Sequence, residues 1–158
     1  MKSYGYAWRL LTILMASTYP YLCLLIHGYE PSLSSYWQTP LQPVFILANI
    51  ATAYYFLQMK NWEIPGLLLI LLTVFSVDLY GELHNVFAIA FFLTCLVPLW
   101  KTKRYVYIFY LYILGGIFMS FSLLIGEIIC ITGISLFHLL LLTKFKTIKE
   151  YNDNNLHQ

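Results

Sequence analysis

Seven polar side chains with the chemistry of acid–base or metal sites occupy a few positions of an otherwise apolar sequence. They are His27, Glu30, Asp78, Glu82, His84, Asn85 and Glu127. Two imidazoles and four carboxylates are enough to ligate a divalent metal ion, or to take a proton from a bound lipid or from water. Ionisable groups in or beside a membrane are energetically expensive, so each of them is a candidate for function.

Asp78 and its neighbours support the sharpest hypothesis of this kind. Asp78 stands between Val77 and Leu79, at the end of an apolar run. Glu82 follows four residues later and would share a helix face with Asp78 if the helix continued that far. His84 would then begin the next helix across a tight turn, which would bring a carboxylate against an imidazole. Such a pair suits general base catalysis or metal binding, and it equally suits a salt-bridged cap.

Three sets of candidate residues follow from these side chains. The candidate catalytic residues are Asp78, His84 and Glu127. The candidate metal ligands are His27, Asp78, Glu82 and His84. The candidate lipid- or substrate-binding residues are Glu82, His84, Asn85, Glu127 and His138. A merely solvated acidic rim is the alternative to all three sets, because loops that exclude Lys and Arg are left with acidic side chains.

His138 differs from the others because it lies in the middle of an apolar run, residues 134–142. On a helix, His138 and Glu127 would share a face but stand about 16 Å apart, so they cannot bind one metal ion. We expect a neutral histidine that is hydrogen-bonded inside a helix bundle, to a Tyr, a Thr, Asn49 or a backbone carbonyl. A role in proton or substrate passage is the alternative.

The composition places these side chains in a single membrane domain. The chain has 158 residues, of which 60% are hydrophobic and only 10% are charged, whereas about a quarter of the residues of soluble domains are charged. The sequence has no basic stripe typical of nucleic-acid binding, no phosphate loop and no nucleophile motif. Its three cysteines are isolated within apolar runs, without Cys-x-x-Cys spacing. No cofactor is therefore predicted, and a divalent metal ion is kept as the alternative.

Six apolar runs approach the length of about 20 residues that a membrane-spanning helix needs. They cover approximately residues 10–26, 43–59, 64–80, 84–100, 105–125 and 127–143, and a polar tail follows at residues 150–158. The last two runs form almost one stretch, which we divide at Gly126 because glycine breaks helices and Glu127 is favourable at a helix N-terminus. Every Lys and Arg then falls on one side of the membrane, and the acidic residues named above fall on the other. Because cytoplasmic loops collect basic residues, the sequence predicts an all-α bundle of six transmembrane helices with both termini in the cytoplasm.

The second half of the chain carries a pattern of short motifs. One predicted helix opens with Leu83-His84-Asn85 and continues through Phe87, Ala88, Phe91 and Phe92; the last opens at Glu127, carries Phe137-His138 and precedes Phe145. This pattern resembles the six-span Frag/DRAM/Sfk family, which includes the damage-regulated autophagy modulators and the Golgi factor for remodelling GPI-anchor lipids. The resemblance implies that His84 and Glu127 match a recurring histidine and a recurring acidic residue, and that His138 matches the Phe-His of the Golgi factor. It does not imply hydrolase activity.

We therefore predict a multi-pass protein of a plasma or inner membrane that binds lipid or another membrane protein, and no nucleic acid. Its site would be the polar region at the non-cytoplasmic helix ends, and a catalytic role is not predicted. Two alternatives stay open. One is a metal-dependent hydrolase or transferase that modifies lipids. The other is a small transporter or channel subunit, for which His138 and Asn49 would have to line a water-filled path.

Overall fold

The structure, a computed structural model, describes the backbone of residues 3–155 and the side chains of residues 5–144. Over this range the chain is all-helical, which confirms the predicted fold class at that level. The six α-helices are α1 (Ser3–His27), α2 (Gln42–Leu57), α3 (Glu63–Val74), α4 (Val77–Lys101), α5 (Val106–Phe118) and α6 (Leu123–Asn155). Two short 3₁₀ helices, Leu33–Gln38 and Lys103–Tyr105, lie in the connections before α2 and before α5.

In the part of the chain that the structure describes, three helices are long and apolar enough to cross a membrane, by their length and composition. They are the segments Gly5–His27, Val77–Lys101 and Leu123–Lys144 of α1, α4 and α6. The helices α2, α3 and α5 contain only 16, 12 and 13 residues, which at about 1.5 Å per residue is shorter than a hydrocarbon core of about 30 Å. The three long helices support a membrane protein. The count of six spans and the cytoplasmic side of the termini stay predictions.

Successive helices run antiparallel, so that their ends collect at two opposite ends of the molecule. Ring contacts show the pairing of α1 with α2, since Trp8 lies against Tyr54 and Tyr19 against Phe45. We call one end the acidic end; it holds Glu30, Asp78, Glu82 and Glu127. We call the other the basic end; it holds Arg9, Lys60, Lys101, Lys103, Arg104 and Lys144. The predicted basic residues Lys2, Lys146 and Lys149 lie outside the described side chains.

Two groups of buried side chains hold the helices together. The larger lies toward the basic end, where the rings of Phe56, Trp62 and Phe137 surround His138. The smaller lies toward the acidic end and includes Tyr19, Tyr36, Phe45 and Leu124 among others. Helix α6 contributes to both groups and packs against α1 and α5. Helix α6 therefore connects the two buried groups.

The helices α5 and α6 are separated by residues 119–122 and not by Gly126. Gly126 lies inside α6, where a Cβ atom would stand only 2.5 Å from the Met119 nitrogen and 2.7 Å from the Gly115 carbonyl oxygen. A side chain at this position would collide with backbone atoms. The glycine therefore permits the two helices to approach closely, and it does not break one.

The boundary between α3 and α4 also differs from the predicted one. Helix α3 ends at Val74, and α4 begins at Val77 after the extended residue Ser76. Asp78 thus lies in the first turn of α4 and not at the end of α3. Tyr80 has non-helical backbone angles (φ −137°, ψ 39°), so Asp78 and Glu82 do not share one regular helix face.

The polar tail predicted at residues 150–158 is divided by the end of α6. The helix continues to Asn155, so residues 150–155 belong to it. Residues 156–158 lie outside the described part of the chain.

Candidate functional site

Three of the predicted site residues lie on the surface of the acidic end. The last residue of α1, His27, has its Nε2 atom 3.3 Å from the carboxylate of Glu30, three residues later in the chain. Asp78 accepts a hydrogen bond from the side-chain amide of Gln38, and Glu82 is exposed. Each of these side chains therefore contacts another polar side chain or is exposed to solvent. The predicted pair of Asp78 with His84 is not among the hydrogen bonds of the structure.

The predicted metal ligands do not form a cluster. Among the residues that the structure describes, no group of three or more His, Cys, Asp or Glu side chains lies close enough to hold a metal ion. His27 instead pairs with Glu30, Asp78 with Gln38, and His84 with a backbone carbonyl. The geometry thus gives no support to a metal centre built from these side chains.

His84 is buried near the start of α4, with 3% of its surface exposed. Its Nδ1 lies 2.7 Å from the carbonyl oxygen of Phe75, the residue that follows α3. A carbonyl only accepts hydrogen bonds, so Nδ1 carries a proton and donates it, and Nε2 of the neutral ring is left as an acceptor. This bond joins two helices and fixes the direction in which Nε2 points. His84 lines both of the cavities described below.

Glu127 is the buried carboxyl group of the acidic end, with 7% of its surface exposed. The backbone N–H of Leu33 donates to its Oε2 at 2.7 Å. This bond crosses from the first 3₁₀ helix to the second turn of α6. Among the described side chains no Lys, Arg or His forms an ion pair with Glu127. Because a buried carboxyl group with few hydrogen-bond partners is expensive, a ligand that forms hydrogen bonds with it would be favoured beside it.

The connection between α1 and α2 covers this end of the molecule. It turns at Gly28, whose φ of 92° favours glycine, and the Tyr36 hydroxyl donates to the Gly28 carbonyl at 2.7 Å. Burial raises the pKa of the Tyr36 hydroxyl above its ordinary value, which keeps the donor protonated. A bond between Tyr29 and Ser122 at 2.9 Å ties the same connection to the start of α6.

Two adjoining cavities open between the helices below this cover. The inner cavity has a volume of about 60 Å³ and lies among α1, α2, α3, α4 and α6. The second cavity, which we call the groove, has a volume of about 740 Å³. It lies between α4 and α5, and residues of α6 also line it. His84 and Glu127 line both, together with Ser34, Ala88 and Phe92. The two buried polar side chains therefore stand where the inner cavity and the groove meet.

The groove is polar at one end and apolar along its length. At the acidic end its walls are formed by Ser32, Ser34, His84, Asn85 and Glu127. Farther along, its walls are mostly apolar and include Ala88, Phe92, Leu96 and Ile113. The α4 wall from residue 84 to residue 96 is about 18 Å long at the rise of an α-helix. A ligand that fits this shape has a polar head and a long apolar tail.

Gly116 gives the groove its width on the α5 side. A Cβ atom added at this position would have nothing within 4 Å. In the sequence Gly116 precedes Ser120 by four residues, a spacing typical of helix packing in membranes. The structure instead places both residues on the groove wall.

Sequence reasoning also overlooked Ser32 and Ser34, which line the polar end of the groove. The pattern that could have indicated them is the run of three serines at positions 32, 34 and 35, shortly after Glu30.

His138 lies apart from these cavities, in the larger buried group. It is 1% exposed, and the Tyr55 hydroxyl is 3.1 Å from its Nδ1. A hydrogen bond to a Tyr inside the bundle is what the sequence led us to expect. His138 lines neither the inner cavity nor the groove, so the structure does not bring it to the candidate lipid-binding residues His84, Asn85 and Glu127.

Comparison of the chain with protein-family models, with curated proteins and with solved structures finds no match. The resemblance to the Frag/DRAM/Sfk family therefore stays a prediction.

Proposed function

We propose that this protein binds one membrane lipid, with an acyl chain in the groove between α4 and α5 and the headgroup at the acidic end. The observation that carries the proposal is an apolar groove of about 740 Å³ that ends at two buried polar side chains, His84 and Glu127. Ligand sites typically combine an apolar lining with a few convergent polar groups. A lipid has the matching polarity along its length.

The surroundings of the groove fit a ligand that enters from the membrane. Ile89, Leu93, Ile113 and Ile117 line the groove and are also exposed on the surface of α4 and α5. In a bilayer these side chains would face hydrocarbon, so an acyl chain can pass between the two helices without crossing a polar surface. We include in the proposal that all six helices cross the membrane, the short ones with their polar ends in the headgroup region.

The orientation in the membrane follows from the two ends of the molecule. The described Lys and Arg side chains collect at the basic end, and cytoplasmic segments of membrane proteins carry an excess of Lys and Arg. We therefore place the basic end and both termini in the cytoplasm. The polar end of the groove, where the headgroup would bind, then lies on the opposite side of a plasma or inner membrane.

The headgroup that suits this site donates hydrogen bonds. Glu127 and Nε2 of His84 are acceptors, and the Ser34 hydroxyl can accept as well. Among the residues with described side chains, no Lys or Arg lines the groove, and Asp78 and Glu82 lie at the same end of the molecule. An anionic headgroup would therefore be repelled, whereas an ammonium or a hydroxyl group would be satisfied. Phosphatidylethanolamine and diacylglycerol are suitable probes, and phosphatidic acid is the contrasting one.

A blocking substitution tests the proposal. Leucine at position 116 would extend into the groove, and the open space around Gly116 allows it without a clash. The matched control is Leu114→Phe, which adds bulk to an exposed residue of the same helix that does not line the groove. Native mass spectrometry of the purified protein with added phosphatidylethanolamine would measure the lipid that stays bound.

We expect wild type and Leu114→Phe to retain about one lipid per chain. Binding by Gly116→Leu should be about tenfold weaker, which corresponds to a loss of about 1.4 kcal/mol in binding free energy. Equal lipid retention by all three proteins would contradict the proposal, because the groove would then play no part in binding.

A second variant tests the headgroup end separately. In His84→Asn the side-chain amide can still donate to the Phe75 carbonyl, but no atom remains at the position of Nε2. We expect an unchanged unfolding temperature and weaker binding of phosphatidylethanolamine and diacylglycerol. Wild-type affinity in a folded His84→Asn protein would show that the headgroup does not contact His84.

A further inference from the structure

Two buried polar atoms face a third, smaller cavity that lies deeper in the bundle. The Thr12 Oγ1 and the His138 Nε2 are both buried, and neither forms a hydrogen bond with the described residues. Both residues line a cavity of about 20 Å³ between α1, α2 and α6. Thr12 and His138 are each only 1% exposed, so bulk solvent does not reach these atoms directly.

Orphaned polar groups in a buried site are costly. A buried donor or acceptor without a partner costs about 1–3 kcal/mol. A cavity needs about 10–15 Å³ to hold one water molecule, and such a water typically makes two to four hydrogen bonds with polar groups. The cavity meets both conditions, since it has the volume for one water and two unpartnered polar atoms.

The hydrogen bond on the other side of the imidazole leaves Nε2 available. Tyr55 occupies Nδ1 at 3.1 Å, and the rings of Phe56, Trp62 and Phe137 pack around the histidine with centroids 4.4 to 5.3 Å away. The cavity beside the ring is lined by the polar residues Thr12, Thr52 and Ser135, of which only Thr12 has an unpartnered buried oxygen among the described residues. Water donates and accepts hydrogen bonds, so it satisfies Nε2 in either tautomer of the neutral ring.

From these observations we infer that one water molecule binds between Thr12 and His138 and bridges their side chains. The small cavity adjoins the inner cavity. It shares Ala16, Thr52, Phe56, Ile134 and Ser135 with the inner cavity, which in turn adjoins the groove. We therefore expect the water to exchange through the inner cavity, because aromatic rings pack around the histidine on its other sides.

Nuclear magnetic resonance of histidine-labelled protein in lipid nanodiscs tests this site. The carbon-bound protons beside Nε2 of His138 should show cross-peaks to water in both tautomers, and the His138 resonances are identified by their loss in His138→Phe. The Thr12→Val variant removes one partner of the water while keeping the shape of the side chain. We expect the cross-peaks to be lost or reduced at least several-fold in Thr12→Val.

Thr18→Val is the matched control, because the Thr18 hydroxyl is exposed on the same helix and donates to the Leu14 carbonyl at 2.8 Å. In Thr18→Val, the cross-peaks between the His138 ring protons and water should equal those of wild type. Cross-peaks from these ring protons to protein protons alone in the wild type would overturn the inference, and so would full water cross-peaks in folded Thr12→Val. The lipid-binding proposal is independent of this outcome, because neither Thr12 nor His138 lines the groove.

Discussion

Glu127 connects the cover of the acidic end to the helix bundle. Its carboxyl group accepts a hydrogen bond from the Leu33 N–H, and both partners are buried. The bond links residues that are 94 positions apart in the sequence. It therefore acts on the placement of the whole connection between α1 and α2, including the two serines of the groove.

Two substitutions of Glu127 test its hydrogen bond to the Leu33 N–H. In Glu127→Leu the Leu33 N–H loses its acceptor, and we expect a loss of about 1–3 kcal/mol in the free energy of unfolding. In Glu127→Gln the amide oxygen can still accept, so the loss should be smaller. Denaturation in mild detergent would measure both values, with Glu82→Gln at an exposed site as the control that should change stability by less than about 0.5 kcal/mol. Equal stability of Glu127→Leu and wild type would show that the bond to Leu33 does not hold the cover.

The residues of the candidate site were partly predictable from the sequence. An imidazole or a carboxylate near an apolar run is visible in any sequence, so His84 and Glu127 could be named as candidates. Their partners could not be named, because the Phe75 carbonyl and the Leu33 N–H are backbone groups that every residue carries. The hypothesis that Asp78 pairs with His84 depended on sequence proximity, whereas the structure gives each of them another partner.

At the scale of the helices, the contact of α5 with α6 depends on glycines. Both Gly115 and Gly126 stand where a Cβ atom would be less than 2.8 Å from atoms of the other helix or its connection. Gly116, the neighbour of Gly115, faces open space. The same residue type therefore has opposite roles at adjacent positions of α5.

Alanine substitutions distinguish these roles. In Gly126→Ala the new methyl group would meet the Met119 backbone, and overpacking of this kind typically costs about 1–3 kcal/mol. In Gly116→Ala there is no contact to disturb, and alanine is favoured over glycine in a helix by about 0.5–1 kcal/mol. We expect a lower unfolding temperature for Gly126→Ala and an unchanged or higher one for Gly116→Ala. The opposite order would contradict the close approach of α5 and α6.

Helix boundaries were the part of the fold that the sequence described least well. Apolar runs reveal the existence of helices because hydropathy is a local property, and all six runs correspond to helices. The breaks depend on single residues without a distinctive type, such as the extended Ser76 and the non-helical Tyr80. Gly126 was taken as a helix breaker because glycine is unfavourable within helices. Glycine also permits close packing of helices, and the sequence does not distinguish these two roles.

The whole molecule is polarised by charge, and this polarity determines its proposed orientation. The described basic side chains lie at one end, and the groove opens its polar part at the other. The three cysteines, Cys23, Cys95 and Cys130, are buried. New cysteines on the surface can therefore be labelled above a low background.

Labelling of single cysteines with a membrane-impermeant maleimide tests the orientation. Glu82→Cys would place the thiol at the acidic end, and Lys103→Cys would place it at the basic end. We expect intact cells to label only Glu82→Cys, and permeabilised cells to label both. The unsubstituted protein serves as the background control. Labelling of both variants in intact cells, or of Lys103→Cys alone, would contradict the orientation with the basic end in the cytoplasm.

The central claim is that a lipid occupies the groove between α4 and α5, and photocrosslinking tests it most directly. A phosphatidylethanolamine with a photoreactive group along its acyl chain would be incorporated into nanodiscs with wild type, Gly116→Leu and Leu114→Phe. Peptide mapping should place the strongest crosslinks of wild type and Leu114→Phe within residues 88–96 of α4 and 112–118 of α5, and these crosslinks should be largely lost in Gly116→Leu. Crosslinks spread evenly over the exposed faces of all helices, with no effect of Gly116→Leu, would contradict the claim.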